Sequence, residues 1–223
     1  IRLSLVGSEM CIRDRSLRDN FLISNLFVDD VINLTYTHYD RVIVGGVRPV
    51  KVAVALPNPA ELRAEYFLER RELGIINVGG NGKVNADGIT YAISKMDCLY
   101  LGKGTKSVSF TSDDTNNPAH FYLLSAPAHH EYPAAICTKQ DAQPVELGAA
   151  ATSNKRTVYK YIHLEGIQSC QLVMGLTVLE EGSVWNSVPP HTHTRRMEVY
   201  FYFDLPAEHR VFHFMGEPTA TKH

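Results

Sequence analysis

Apolar and polar positions alternate in short bursts along most of this chain, and little of it holds the 3.6-residue spacing of a helix. Ile32, Leu34 and Tyr36 alternate with polar residues, Arg41-Val42-Ile43-Val44 runs into the turn signal Gly45-Gly46, and Lys51 to Leu56 alternates again. Further short candidates are Tyr66 to Leu68, Gly74 to Val78, Ile89 to Ile93, Cys98 to Leu101, Ser107 to Phe110 and His120 to Leu124. Gly79-Gly80-Asn81-Gly82 and Asp87-Gly88 divide them as tight turns, since these residues tolerate positive φ. Near the start, Leu17, Phe21 and Leu22 have helical spacing. Strands resume at Thr157 to His163 and Cys170 to Val178, pass a Glu180-Glu181-Gly182 turn, and continue to Phe203 and then Val211 to Met215. Many short strands at regular spacing predict an all-β chain, a sandwich or barrel.

The punctuation suggests two halves. Residues 126–154 carry Pro127, Pro133, Pro144 and Gly148 with little periodicity and read as a connection between a first barrel, 16–125, and a second, 155–223. Residues 1–15 mix apolar and charged positions without a period, look like translated adaptor sequence and lack a signal-peptide cleavage site. They are set apart as a non-native or disordered leader. At 223 residues and 44% hydrophobic content, the chain can bury one large core or two small ones. Its 22 Lys plus Arg against 24 Asp plus Glu give no polyanionic partner to expect, so nucleic acid is excluded as a partner class. No apolar run reaches the roughly 18 residues of a membrane helix, and no membrane partner is expected. Cys11, Cys98, Cys137 and Cys170 are widely spaced without a C-x-x-C pair, which suits a reducing cytosol better than a disulfide framework.

Candidate chemistry concentrates in His191-Thr192-His193-Thr194-Arg195-Arg196-Met197-Glu198-Val199-Tyr200-Phe201-Tyr202-Phe203. Histidines two apart share one side of a strand, and two imidazoles with a carboxylate form a ligand set for zinc or another divalent metal. Glu198 follows His193 by an odd offset, so convergence of His191, His193 and Glu198 requires a bulge or turn near Thr194 to Met197. The competing interpretation is an amphipathic strand with two surface histidines. Arg195 and Arg196 place cationic donors where a carboxylated substrate could be held, and Tyr202 is a third candidate contact. Arg70-Arg71-Glu72-Leu73-Gly74-Ile75-Ile76-Asn77-Val78 echoes the same plan, an arginine pair, a carboxylate and a strand, without the preceding H-x-H. Its arginines are further candidates, with pairing to Glu69 or Glu72 as the plainer alternative.

The H-x-H-x4-E pattern followed by aromatic alternation resembles the first metal motif of the cupin superfamily. Gly182 stands farther ahead of His191 than in that motif, and no glycine follows Glu198 at its usual interval. Together with Tyr66-Phe67-Leu68-Glu69-Arg70-Arg71-Glu72-Leu73-Gly74, Asp40 to Gly46, Tyr100 to Gly104, Thr152 to Thr157 and Phe212 to Pro218, it is similar to the 5-keto-4-deoxyuronate isomerases, or 4-deoxy-L-threo-5-hexosulose-uronate ketol-isomerases. The likeness runs from about Leu17 to His223.

That resemblance implies a bicupin, two double-stranded β-helix (jelly-roll) barrels, with Zn2+ held once per subunit by His191, His193, Glu198 and a later histidine. The fourth ligand is expected beyond His223, leaving the second barrel short at its end. It also implies a cytoplasmic homohexamer acting on a small deoxyketouronate in pectin-derived uronate catabolism, isomerising an aldose to a ketose through an enediolate. The proton carrier stays open among Tyr200, Tyr202, Glu72, a metal-bound water and a residue expected beyond His223. Two other classes use the same residues: a non-haem iron dioxygenase, and a sugar-binding cupin whose metal is structural. His213 is expected as a packed, hydrogen-bonded histidine, and His129-His130 as exposed.

Overall fold

The computed structural model describes residues 15–186, 189, 191 and 193–214. Most of the expected leader, residues 1–14, lies outside them, as do Met215 and His223. The chain divides into two compact units, Ile1–Thr192 and His193–His223, each considered by itself below.

In the first unit, residues 15–21 are helical, and the alternation that follows folds into antiparallel strands. These are β1 (Ile32–Tyr36), β2 (Ile43–Val47), β3 (Val54–Ala55), β4 (Arg71–Asn77), β5 (Gly82–Ala86), β6 (Ile89–Ile93), β7 (Cys98–Leu101), β8 (Val108–Ser112), β9 (Phe121–Pro127) and β10 (Ala135–Cys137). One sheet has the order β1-β2-β9-β4-β7-β10 and the other β3-β8-β5-β6. A single core lies between them: Ile43, Val47, Leu73, Ile75, Leu99, Leu101, Phe121 and Leu123 of the larger sheet join Val84, Ala86, Ile93, Val108 and Phe110 of the smaller. Burial of each large apolar side chain contributes about 1.5–3 kcal/mol. β2 and β4 are buried at every position, β2 as an unbroken apolar run and β4 with the polar Arg71, Glu72 and Asn77 among its buried residues, whereas β5 alternates buried and open positions.

Asp87 and Gly88, both at positive φ (49° and 85°), join β5 to β6 in the two-residue turn that matches strand twist. β5 itself was not expected, because Gly82 read as the end of a glycine turn. It opens the strand instead, and a Cβ there would lie 2.5 Å from the Thr111 carbonyl. Tyr66 to Leu68, expected as a strand, is a turn closed by Glu69 N–H on the Tyr66 carbonyl, which buries Phe67 and Leu68.

A third, three-stranded antiparallel sheet has the order β11-β12-β13, with β11 (Gln143–Leu147), β12 (Arg156–Ile162) and β13 (Met174–Leu179). β10 and β11 lie in the stretch expected as a connection. The buried Tyr161 of β12 donates its hydroxyl to the Met96 carbonyl, tying this sheet to the turn between β6 and β7. Of the expected second barrel, 155–223, the strands described in this unit are β12 and β13.

In the second unit no strand forms among residues 193–214, although Val199 to Phe203 and Val211 to Met215, whose last residue lies outside the described ones, were expected as two. The alternation persists in the side chains, with Tyr200 stacked on Tyr202 at 6.5 Å and Phe201 on Phe203 at 5.8 Å. No neighbouring backbone supplies a ladder to this segment among the described residues, and alternation without a hydrogen-bonding partner does not make a sheet.

Candidate functional site

The backbone bends at Thr194 and Arg195, so the odd spacing between His193 and Glu198 no longer sends their side chains apart. His193 Nε2 stands 2.9 Å from Glu198 Oε1. Arg196 Nη2 lies 3.4 Å from the same imidazole nitrogen and 3.5 Å from the same carboxylate oxygen. Tyr200 donates its hydroxyl to Glu198 Oε2 at 3.1 Å. A neutral imidazole nitrogen holding a lone pair repels a carboxylate at such a distance, so a proton or another cation has to lie between them. With tetrahedral metal bonds of about 2.0–2.2 Å, two ligand atoms stand about 3.4 Å apart, so the pair suits a shared metal by its chemistry and would open by about 0.5 Å from its hydrogen-bonded distance to take one.

His191 belongs to the first unit, exposed, with Nδ1 3.1 Å from the Pro189 carbonyl. A carbonyl only accepts, so Nδ1 carries the proton in this contact, and in the neutral ring Nε2 then holds the lone pair, one of the two tautomers by which a histidine binds metal. Among the described residues no group of three or more His, Cys, Asp or Glu side chains is gathered around one point. Of the three expected ligands, the structure brings together His193 and Glu198.

Of the expected substrate contacts, Arg195 is exposed, Arg196 faces the pair, and Tyr202 shares its hydroxyl with His213 Nδ1 at 2.7 Å. Burial, and secondarily the nearby Tyr200, push the Tyr202 phenol up, so it is a proton donor at neutral pH. His213, expected to be packed, is exposed, with its ring edge-on to Tyr200 at 5.1 Å. This tyrosine-histidine bond escaped the sequence because positions eleven apart carry no periodic signal without a known chain reversal. His129 and His130 are exposed.

The echo in β4 has a different environment. Glu72 is fully buried and accepts from the Tyr100 hydroxyl (2.8 Å) and the backbone N–H groups of Cys170 (2.7 Å), Gln171 (2.7 Å) and Leu172 (2.9 Å). Burial, with that bond, raises the Tyr100 phenol. Arg71 donates to Ser125 and to the Arg41 carbonyl. Arg70 donates to the Leu62 and Arg63 carbonyls and lies 3.9 Å from Glu69. Glu72 therefore has no oxygen to spare for moving a proton.

A family model described as the KduI/IolB family matches residues 25–221. The chain belongs to this family. Among its relatives, the 4-deoxy-L-threo-5-hexosulose-uronate ketol-isomerase of Halalkalibacterium halodurans is 54% identical over 93% of this chain and 75% of its own. The enzyme of that name from Yersinia pseudotuberculosis is likewise 54% identical, over 93% of this chain and 75% of its own. Of solved structures, an IolB-like protein from Salmonella typhimurium superposes with a TM-score of 0.42 at 18% identity, covering 53% of this chain and 43% of that one. Kinship at this level places this KduI/IolB member among the ketol-isomerases, which are intramolecular oxidoreductases. No helix among the described residues is long and apolar enough to cross a membrane.

Proposed function

We propose that the chain is a zinc-dependent aldose-ketose isomerase that converts 5-dehydro-4-deoxy-D-glucuronate to 3-deoxy-D-glycero-2,5-hexodiulosonate. The observation that carries the reaction is the 54% identity, over 93% of the chain, to enzymes named for this ketol-isomerisation. Its metal dependence rests on the His193–Glu198 pair and on the Nδ1 proton of His191 held by the Pro189 carbonyl.

The reaction removes a proton from the hydroxyl-bearing carbon beside an aldehyde and returns it to the former aldehyde carbon through an enediolate. His191, His193 and Glu198 would hold the zinc, and the bound ion would supply Lewis acidity to the substrate's carbonyl oxygen. Arg195 or Arg196 pairs with the substrate carboxylate, since a guanidinium presents two parallel donors to it. The Tyr202 hydroxyl, held by His213 Nδ1, is a protonated donor that can exchange its hydrogen with a neighbouring imidazole. Tyr200 keeps one oxygen of Glu198 oriented. A bicupin of two barrels, a homohexamer, a cytoplasmic location and a place in pectin-derived uronate catabolism belong to the same proposal, supported by the family likeness.

An assay that follows loss of the deoxyketouronate tests it, with His191→Ala and His193→Ala beside the wild type. Turnover by the wild type that both substitutions abolish is the expected result. Equal turnover in all three removes the metal site from the reaction, and binding of the sugar without turnover in any of them favours a non-catalytic cupin. Oxygen consumption with bound iron would favour a dioxygenase.

A further inference from the structure

The first unit contains a cavity of about 660 Å3 that the isomerase chemistry does not use. Arg41, Arg70, Arg71, His38, Glu61 and Tyr36 line it, against an apolar wall that includes Ile43 and Phe67. Three guanidinium groups and one carboxylate leave the lining net positive.

Arg71 is the unusual member, at only 7% exposure. Its Nε donates to Ser125 Oγ at 3.1 Å, and Nη2 donates to the carbonyls of Ser125 and Arg41 at 2.9 and 2.7 Å. Among the described residues no carboxylate pairs with it, and Nη1 has no protein acceptor. A buried cation without a counter-charge is costly, and burial together with neighbouring Arg41 lowers the guanidinium to about 10. Arg41 adds a second positive group at the exposed mouth, likewise without an acidic partner among the described residues. Arg70 is engaged with the carbonyls of Leu62 and Arg63 and holds the rim.

We infer that this cavity is a binding site for a small organic anion, a carboxylate on a body of monosaccharide size, with Arg71 and Arg41 receiving the carboxylate. The volume falls in the range of small-ligand pockets, which combine an apolar lining with a few placed polar groups. A planar carboxylate matches the guanidinium fork. The site lies wholly within the first unit and is independent of the proposed metal residues.

Calorimetric titration of the full chain tests it, with D-glucuronate as probe and D-glucose and inorganic phosphate as comparison ligands. The titrations use the His193→Ala background, so that binding at the proposed metal site does not contribute. Arg71→Gln is the obvious variant, but it removes three internal hydrogen bonds and could fail to fold. Arg41→Asn keeps a residue that tolerates the left-handed backbone found there (φ 54°), leaves the position-41 carbonyl that Arg71 donates to, and removes the guanidinium. Expected are saturable binding of glucuronate, none of glucose or phosphate, and an affinity about tenfold weaker in Arg41→Asn with an unchanged melting temperature. Absent glucuronate binding, equal binding of glucose, preference for phosphate, or unaltered affinity in Arg41→Asn would each overturn the inference.

Discussion

Arg70-Arg71-Glu72, leading into β4, and Arg195-Arg196-Met197-Glu198 in the second unit present nearly the same residues in opposite environments. Glu72 is fully buried, and four protein donors fill its oxygens. Glu198 has a side chain 35% exposed and faces a histidine, an arginine and a tyrosine. A buried carboxylate is tolerated only when fully bonded, and one that is fully bonded has nothing left for a substrate or metal. An open carboxylate beside an imidazole keeps that capacity. The first segment serves as a structural tie, pinning residues 170–172 to β4, and the second is available for chemistry.

If that division holds, the largest effect falls on activity. Glu198→Gln lowers turnover by about a thousandfold or more, as expected when a metal ligand is lost, while denaturant stability changes within about 0.5 kcal/mol because the site is open. Unfolding of this variant would break the contrast. Next comes Glu72→Ala, which leaves the Tyr100 hydroxyl and three backbone N–H groups without their acceptor. Urea or guanidinium denaturation should show a loss of about 3 kcal/mol or more, with turnover per folded molecule kept. A loss below about 1 kcal/mol would mean that the tie carries little. Tyr161→Phe removes the single bond to Met96 and sharpens the measure of how the three-stranded sheet is held, at about 1 kcal/mol in the same experiment. Smallest is Tyr202→Phe: its bond to His213 is exposed, so stability stays within about 0.5 kcal/mol, and a fall in turnover measured alongside would assign that bond to proton handling.

The all-β class was legible because alternation is a local signal. β6 and β7 fall on Ile89–Ile93 and Cys98–Leu101, where apolar spacing and Asp87-Gly88 mark them. β5 was hidden by its small residues, Gly82 and Ala86 bracketing a lone Val84, whose inward face becomes visible only once the smaller sheet is formed. β10 and β11 were hidden because Pro133 and Pro144 read as breakers, though Pro144 sits in the outer strand β11, where a missing N–H costs no ladder bond inside the sheet. In the site, the meeting of His193 with Glu198 was readable from spacing plus the required bend. The Tyr202–His213 bond was not, since it depends on a chain reversal between them that no short pattern encodes.

Zinc uptake separates the two arginine segments in one determination. Equilibrium dialysis of the chain against Zn2+ followed by elemental analysis should give one zinc per wild-type molecule, the same for folded Glu72→Gln, and none for the His193→Ala, Glu198→Gln double variant. Retention of zinc by the double variant, or none bound by the wild type, would contradict the assignment of metal chemistry to the second segment.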